Sequence, residues 1–223
     1  MFVLGGPGAG KGTMCELAQM QLGWKHLSAG GLLRAEQDAG GATMEVIKAM
    51  LEAGKLVPSE IVVGLLKTAI ERTIRSTGQR NFLIDGFPRS LSNLEAWVEV
   101  FGRQADLPTM LYFECPLPVL EQRILGRARY TGRADDKLEA VKLRFDTFKA
   151  ETLPTVELFT RQRKCVEIDT SQDRQIVYSM LRDHLAPTTD ARLMAHPLSE
   201  QAEVLLGLRP YPRGSAARAS SNR

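Results

Sequence analysis

The sequence predicts an α/β fold, a five-stranded parallel sheet with helices on both faces. Three observations point there. Short β-rich apolar runs alternate with longer stretches of helical periodicity, the runs are only three or four residues long, and a glycine-rich loop separates the first run from the first helix. Such alternation is the mark of successive βαβ units, and strands this short suit the interior of a sheet covered on both sides.

The elements follow in order. Phe-Val-Leu at 2–4 is the first strand, and a helical pattern over 12–22 follows the loop. A weaker strand candidate lies at 24–27. From 28 to 57 the pattern is helical, punctuated by Gly40-Gly41 and Gly54, which predicts a small helical insert that moves as a unit. A helix over 59–76 leads to a strand at 82–84, a helix at 91–101, a strand at 110–113 and a helix at 117–127. The polar run RARYTGRADD at 127–136 carries both charge signs and predicts an exposed loop. Helices over 137–149 and 153–163, a strand at 165–168 and a helix over 173–185 complete the domain. Beyond it, four prolines (Pro187, Pro197, Pro210, Pro212), small residues and arginines predict a tail over 186–223, with at most one short helix near 198–206.

Composition limits the function classes. With 43% hydrophobic and 25% charged residues in 223, the chain has enough apolar material for a sizeable core and is not globally disordered. No apolar run approaches the ~18 residues of a membrane-spanning helix. Met1 is followed at once by the first strand, which leaves no room for a signal or transit peptide. Three widely spaced cysteines (Cys15, Cys115, Cys165) read as thiols in a reducing compartment. The formal charge of +3 comes from the tail: after Glu203 there is no acid but four arginines, Arg209, Arg213, Arg218 and Arg223. Residues 1–203 hold 25 basic and 26 acidic side chains, so the domain is near neutral and a nucleic-acid-binding role has only the basic tail behind it.

The strongest motif is GGPGAGKGT at 5–13. Phosphate oxygens need several backbone N–H donors converging on one point, and glycines let the chain turn that tightly with no Cβ in the way. The following helix adds free N–H groups and the positive end of its dipole. Lys11 supplies a charge for β- and γ-phosphates. The threonine, Thr13, stands one residue later than in G-x-x-x-x-G-K-[ST], with Gly12 between. A second motif, FLIDGFPR at 82–89, ends a buried strand with Asp85 and turns through Gly86. An acid at the carboxyl end of a central strand beside a phosphate loop suits a water-mediated Mg²⁺ partner, and Arg89 just beyond suits bidentate phosphate contact.

Together these motifs resemble the nucleoside monophosphate kinases, and within them the UMP/CMP kinases. GGPGAGKGT at 5–13, HLSAG at 26–30 with Leu33-Arg34, GKLVP at 54–58, DGFPR at 85–89 and GRADD at 132–136 stand in family order over roughly residues 1–185. The resemblance implies a P-loop NTPase fold whose 28–57 insert binds the acceptor nucleotide and whose 127–136 segment is a short lid. It implies transfer of the γ-phosphoryl group of ATP, with Mg²⁺, to CMP, UMP or dCMP. By the same resemblance, Gly8, Ala9, Gly10, Lys11, Gly12 and Thr13 hold the ATP phosphates, and Gln172 lies near the adenine through its backbone. Arg34 and Arg89 clamp the acceptor phosphate. Lys55, Leu56, Val57, Gly86, Phe87, Pro88 and Asn93 line the acceptor site. Arg127, Arg133 and Arg144 surround the transferred group, joined by Arg123, and Asp85 meets the metal through water. A cytoplasmic or nuclear monomer, without nucleic-acid or membrane partners, is the implied setting.

Two positions bear on substrate. Ala29 stands where adenylate kinases usually have threonine, and Asn93 where they have glutamine; an amide one methylene shorter suits a pyrimidine, and a rotating one serves both cytosine and uracil. Gly31 departs from the family pattern, which usually has an acid there, so weaker Mg²⁺ binding is expected. The lid run has no Cys or His set, which excludes a zinc-bearing lid. An adenylate kinase acting on AMP and a non-catalytic nucleotide-binding relative are the alternatives.

Overall fold

The computed structural model describes residues 1–102, 108–131 and 138–186. Five strands form one parallel sheet: β1 (Phe2–Gly5), β2 (Lys25–Ser28), β3 (Phe82–Asp85), β4 (Met110–Glu114) and β5 (Cys165–Asp169), in the spatial order β2-β3-β1-β4-β5. The weakest strand expected from the sequence, β2, is present one residue later than its apolar run.

Period-two alternation divides the side chains of these strands between two cores. Val3, Leu83, Leu111, Phe113 and Ile168 point to one face and pack with α1 (Lys11–Leu22), α6 (Leu117–Thr131), α7 (Leu138–Thr147) and α9 (Arg174–Leu185). Phe2, Leu4, Leu27, Ile84 and Met110 point to the other, against α2 (Ala29–Asp38), α3 (Met44–Glu52), α4 (Ser59–Thr77), α5 (Leu91–Phe101) and α8 (Leu153–Arg161). Both faces are apolar, which is why the strands read as continuous hydrophobic runs. The second core is built around Phe2. Its ring meets Trp97 at 5.1 Å, Phe87 at 5.6 Å and Phe159 at 6.0 Å, all edge-on.

Two boundaries differ from expectation. Helix α6 runs on to Thr131, so residues 127–131, expected as loop, are helical; Arg and Ala are strong helix formers, and their propensity outweighs the charge density. The expected break between 149 and 153 is instead a π-helical turn, Phe148–Thr152, closed by Leu153 N donating to Phe148 O. This turn absorbs Pro154 at the start of α8. Because α7 belongs to one core and α8 to the other, the turn carries the chain from face to face. Of the expected tail over 186–223, everything after Ala186, including the short helix near 198–206, lies outside the described residues. Among the described residues no helix is long and apolar enough to cross a membrane.

Phe159 is fully buried and stands at the edge of the Phe2 cluster. Phe159→Ala is expected to destabilise the fold by about 3–5 kcal/mol, read as a lower urea midpoint with unchanged slope. A loss below about 1 kcal/mol would mean that the cluster repacks and is not the anchor of this face.

Candidate active site

The site grows from the carboxyl ends of β1 and β3, where the chain must leave a buried strand and turn at once. After β1 the glycine loop packs on α6. Gly8 has φ +88°, and a methyl group there would lie 2.7 Å from Leu120 O, so any other residue both strains the backbone and collides with the helix. α1 then starts at Lys11, with its first-turn N–H groups facing the loop.

Lys11 does not extend into solvent. Its Nζ donates to Gly5 O at 2.8 Å and Gly6 O at 3.0 Å, which holds the ammonium over the loop. Burial lowers its pKa from 10.5 to about 8, with Asp85 opposing the shift and Arg89 and Arg144 adding to it. Asp85 is the last residue of β3, and a methyl group on Gly12 would sit 3.9 Å from its Oδ2. Burial alone would raise the Asp85 pKa. The His26 contact, with Nε2 3.5 Å from Oδ2, and the Lys11 and Arg89 charges outweigh it and bring the pKa below the ordinary value. A carboxylate held ionised is what a hydrated hard cation needs, and one such oxygen donor beside phosphates is the usual Mg²⁺ setting. Among the described residues no group of three or more His, Cys, Asp or Glu forms an all-protein metal cage.

An open cleft lies beside the loop. It brings together Lys11, Arg34, Lys55, Leu56, Gly86, Arg89 and Arg144 of the expected residues. Arg89 is steered by its own turn, with Nε donating to Gly86 O at 2.8 Å. A smaller recess shares Lys55, Leu56, Gly86 and Arg89 and adds Val57 and Asn93. Its lining combines apolar side chains (Leu33, Leu51, Val62) with polar ones (Lys55, Arg89, Asn93), the mixture a planar base bearing a phosphate requires.

The other expected residues have the following places and contacts. Phe87, assigned to the acceptor site, is fully buried and its ring packs on Phe2 and Trp97, so the side chain belongs to the core. Pro88 is buried beside it. Asn93 does not rotate freely. Its Oδ1 accepts from Arg89 N at 3.1 Å while its Nδ2 donates to Ser59 Oγ at 2.8 Å, and inverting the amide would set donor against donor at Arg89. One N–H and one lone pair remain for a ligand. Arg123, expected among the phosphate cations, points Nη1 at Cys115 Sγ, 3.7 Å away. Gln172 is exposed and donates to Asp169 Oδ2 at 2.9 Å. Gly8, Ala9, Gly10, Gly12 and Thr13 form the loop and helix start, but they and Arg127 do not line the cleft. Arg133 lies outside the described residues.

Sequence reasoning missed His26, Thr147 and Thr152. His26 was visible only as part of HLSAG; its role follows from β2 pairing with β3, with Ser28 opposite Asp85. The two threonines line the cleft from the π turn and its approach, where no periodicity reveals them.

A family model described as adenylate kinase matches residues 3–164. The chain is 40% identical over 180 residues to the UMP-CMP kinase of Gallus gallus, covering 80% of this chain and 92% of that one. It is 40% identical over 185 residues to the uridylate kinase of Saccharomyces cerevisiae, covering 82% and 88%, and 39% identical over 180 residues to the UMP-CMP kinase of Homo sapiens, covering 80% and 92%. With the glycine loop, the Asp85 strand end and the cation-lined cleft in one parallel sheet of order 2-3-1-4-5, the chain belongs to the adenylate kinase family.

Proposed function

We propose that this chain is a nucleoside monophosphate kinase that transfers the γ-phosphoryl group of ATP to a pyrimidine nucleoside monophosphate, CMP or UMP. The observation that carries the reading is the convergence of Lys11, Arg34, Arg89 and Arg144 on one cleft beside a glycine loop. The names of its relatives, UMP-CMP kinase and uridylate kinase, support the pyrimidine acceptor.

In the reaction one P–O bond forms between an acceptor phosphate oxygen and the transferred phosphorus, and the bond to the ADP oxygen breaks. The protein contributes alignment and positive charge rather than covalent chemistry. The loop from Gly8 to Thr13 and Lys11 hold the donor phosphates. Arg34 and Arg89 orient the acceptor phosphate, and Arg144, with Arg127 and the lid's Arg133, neutralises the transferred group as the lid excludes water. Lys55, Leu56 and Val57 flank the acceptor nucleoside, and Asn93 offers its remaining N–H and lone pair to the base. Asp85 would hold Mg²⁺ through water, and the bound ion would supply further charge neutralisation to the phosphates.

Turnover with ATP across AMP, CMP, UMP, dCMP and GMP tests the substrate. Faster reaction with CMP or UMP is expected, and AMP exceeding both overturns the pyrimidine assignment. Lys11 yields a second measurement. With its pKa near 8 in the free protein, polyanion binding pulls that value back up, so Lys11 takes up about half a proton when ATP binds at pH 8, where the phosphates are already ionised, and contributes almost none at pH 6. Calorimetry in buffers of different ionisation enthalpy reads this directly; no uptake at pH 8 separates Lys11 from the phosphates. Gly31 supplies a third. A methyl group there lies 3.2 Å from Ser28 Cβ, against the cap in which Ser28 Oγ accepts from Gly31 N. Gly31→Asp is expected to lower the half-activating Mg²⁺ concentration by roughly two- to tenfold, together with a small loss in melting temperature from the crowded cap. An unchanged Mg²⁺ requirement removes the link between this glycine and the metal.

A further inference from the structure

The π turn reaches two functional segments at once. Thr147, at the end of α7, donates its hydroxyl to Gly54 O at 3.0 Å, immediately before the Lys55–Val57 stretch of the recess. Thr152, at the end of the turn, donates to Arg89 O at 2.9 Å. These contacts span 93 and 63 residues of sequence. Five steps along an α-helix leave two side chains about 140° apart, so a regular helix cannot aim both hydroxyls at one cleft. The i→i+5 bond from Leu153 N to Phe148 O widens the turn by a residue and brings positions 147 and 152 back toward one face, both lining the cleft.

The approach of the insert to α7 is close. Gly54 has φ +63°, and a methyl group on it would lie 3.0 Å from Leu143 Cβ and 3.4 Å from Arg144 N. The carbonyl that Thr147 holds is therefore seated against the helix that carries Arg144. Arg89 is held at three points: its Nε by Gly86 O, its N–H by Asn93 Oδ1 and its carbonyl by Thr152.

We propose that Thr147 and Thr152 are positioning residues, a two-point hydroxyl latch through which the π turn joins the acceptor insert at Gly54 and the Arg89 corner to the Arg144 helix. The latch sets the acceptor side of the cleft and leaves the glycine loop untouched. This inference rests on the kinase reading above for its kinetic signature, though not for its structural one.

The test uses the full chain with Thr147→Val, Thr147→Ser, Thr152→Val and Thr152→Ser. Valine keeps the β-branched shape without the hydroxyl; serine keeps the hydroxyl without the methyl. Each valine variant is expected to raise the KM of the best acceptor monophosphate by about three- to tenfold, the worth of one hydrogen bond, while the KM for ATP stays within about twofold. The serine variants are expected to stay near wild type. Amide hydrogen exchange without nucleotide gives the second readout: Thr147→Val speeds exchange in 53–58 and Thr152→Val in 86–90, and the serine variants do neither. Valine variants equal to wild type in both readouts overturn the latch. So does an equal effect of serine and valine, which would trace it to packing, or an equal rise in both KM values. If wild type phosphorylates no monophosphate, the proposed function fails alone. The exchange pattern then decides the latch: selective acceleration supports it, and unchanged exchange ends it.

Discussion

Strand β1 is four residues with no path to water. It is paired on both edges, to β3 and β4, and its side chains alternate into two opposite cores, Val3 one way and Phe2 and Leu4 the other. A backbone so enclosed can end only by turning sharply, and the turn is the glycine loop. Every other part of the site is placed relative to that exit. Asp85 ends the neighbouring strand in near register, Leu120 of α6 supports the loop from below, and α1 begins where the loop closes. The loop needs glycine because it is squeezed between a fixed strand end and a fixed helix, so its phosphate-binding shape is imposed by packing before any phosphate arrives.

Charge follows the same economy. Lys11, Arg34, Arg89 and Arg144 face one cleft, and one buried carboxylate, Asp85, lies close by. Such a collection is unfavourable by itself, and the lowered Lys11 pKa reflects that: burial and two neighbouring guanidinium groups outweigh the attraction of Asp85. The carbonyls of Gly5 and Gly6 hold the ammonium in place of a counter-ion. A polyanionic ligand relieves this tension, and the free protein stores it in a rigid frame.

Much of this was readable in the residues. The alternation of short apolar runs and helical stretches reflects a sheet covered on both faces, and the loop motif needs no tertiary information because its chemistry is local. Arg89 was offered by its place after the Asp85-Gly86 turn and Arg34 by the resemblance of the run from His26, and both line the cleft. What escaped depends on long-range contact. Phe87 looked like a site residue because it lies inside DGFPR, yet its ring is committed to Phe2 and Trp97. The freedom expected of Asn93 ended when the fold brought Ser59 to one end of the amide and Arg89 N–H to the other. The charges of 127–131 suggested loop, while intrinsic propensity kept them helical. Thr147 and Thr152 were invisible because helical periodicity assumes 3.6 residues per turn and the chain departs from it there.

That departure lets the segment hold one residue more than an α-helix of the same rotation. The π turn takes up the surplus, so α8 keeps the rotational phase that packs it on the sheet. Were the same residues to close as a regular α-helix, α8 would turn by roughly 100°. Phe159 and Val156 would swing off the sheet and polar residues of the same helix would face it. Deleting one residue between 148 and 152 would instead let the helix close regularly with Phe159 still on the sheet. The extra residue is slack taken up in a single fold of the chain, given to the cleft and not to the core.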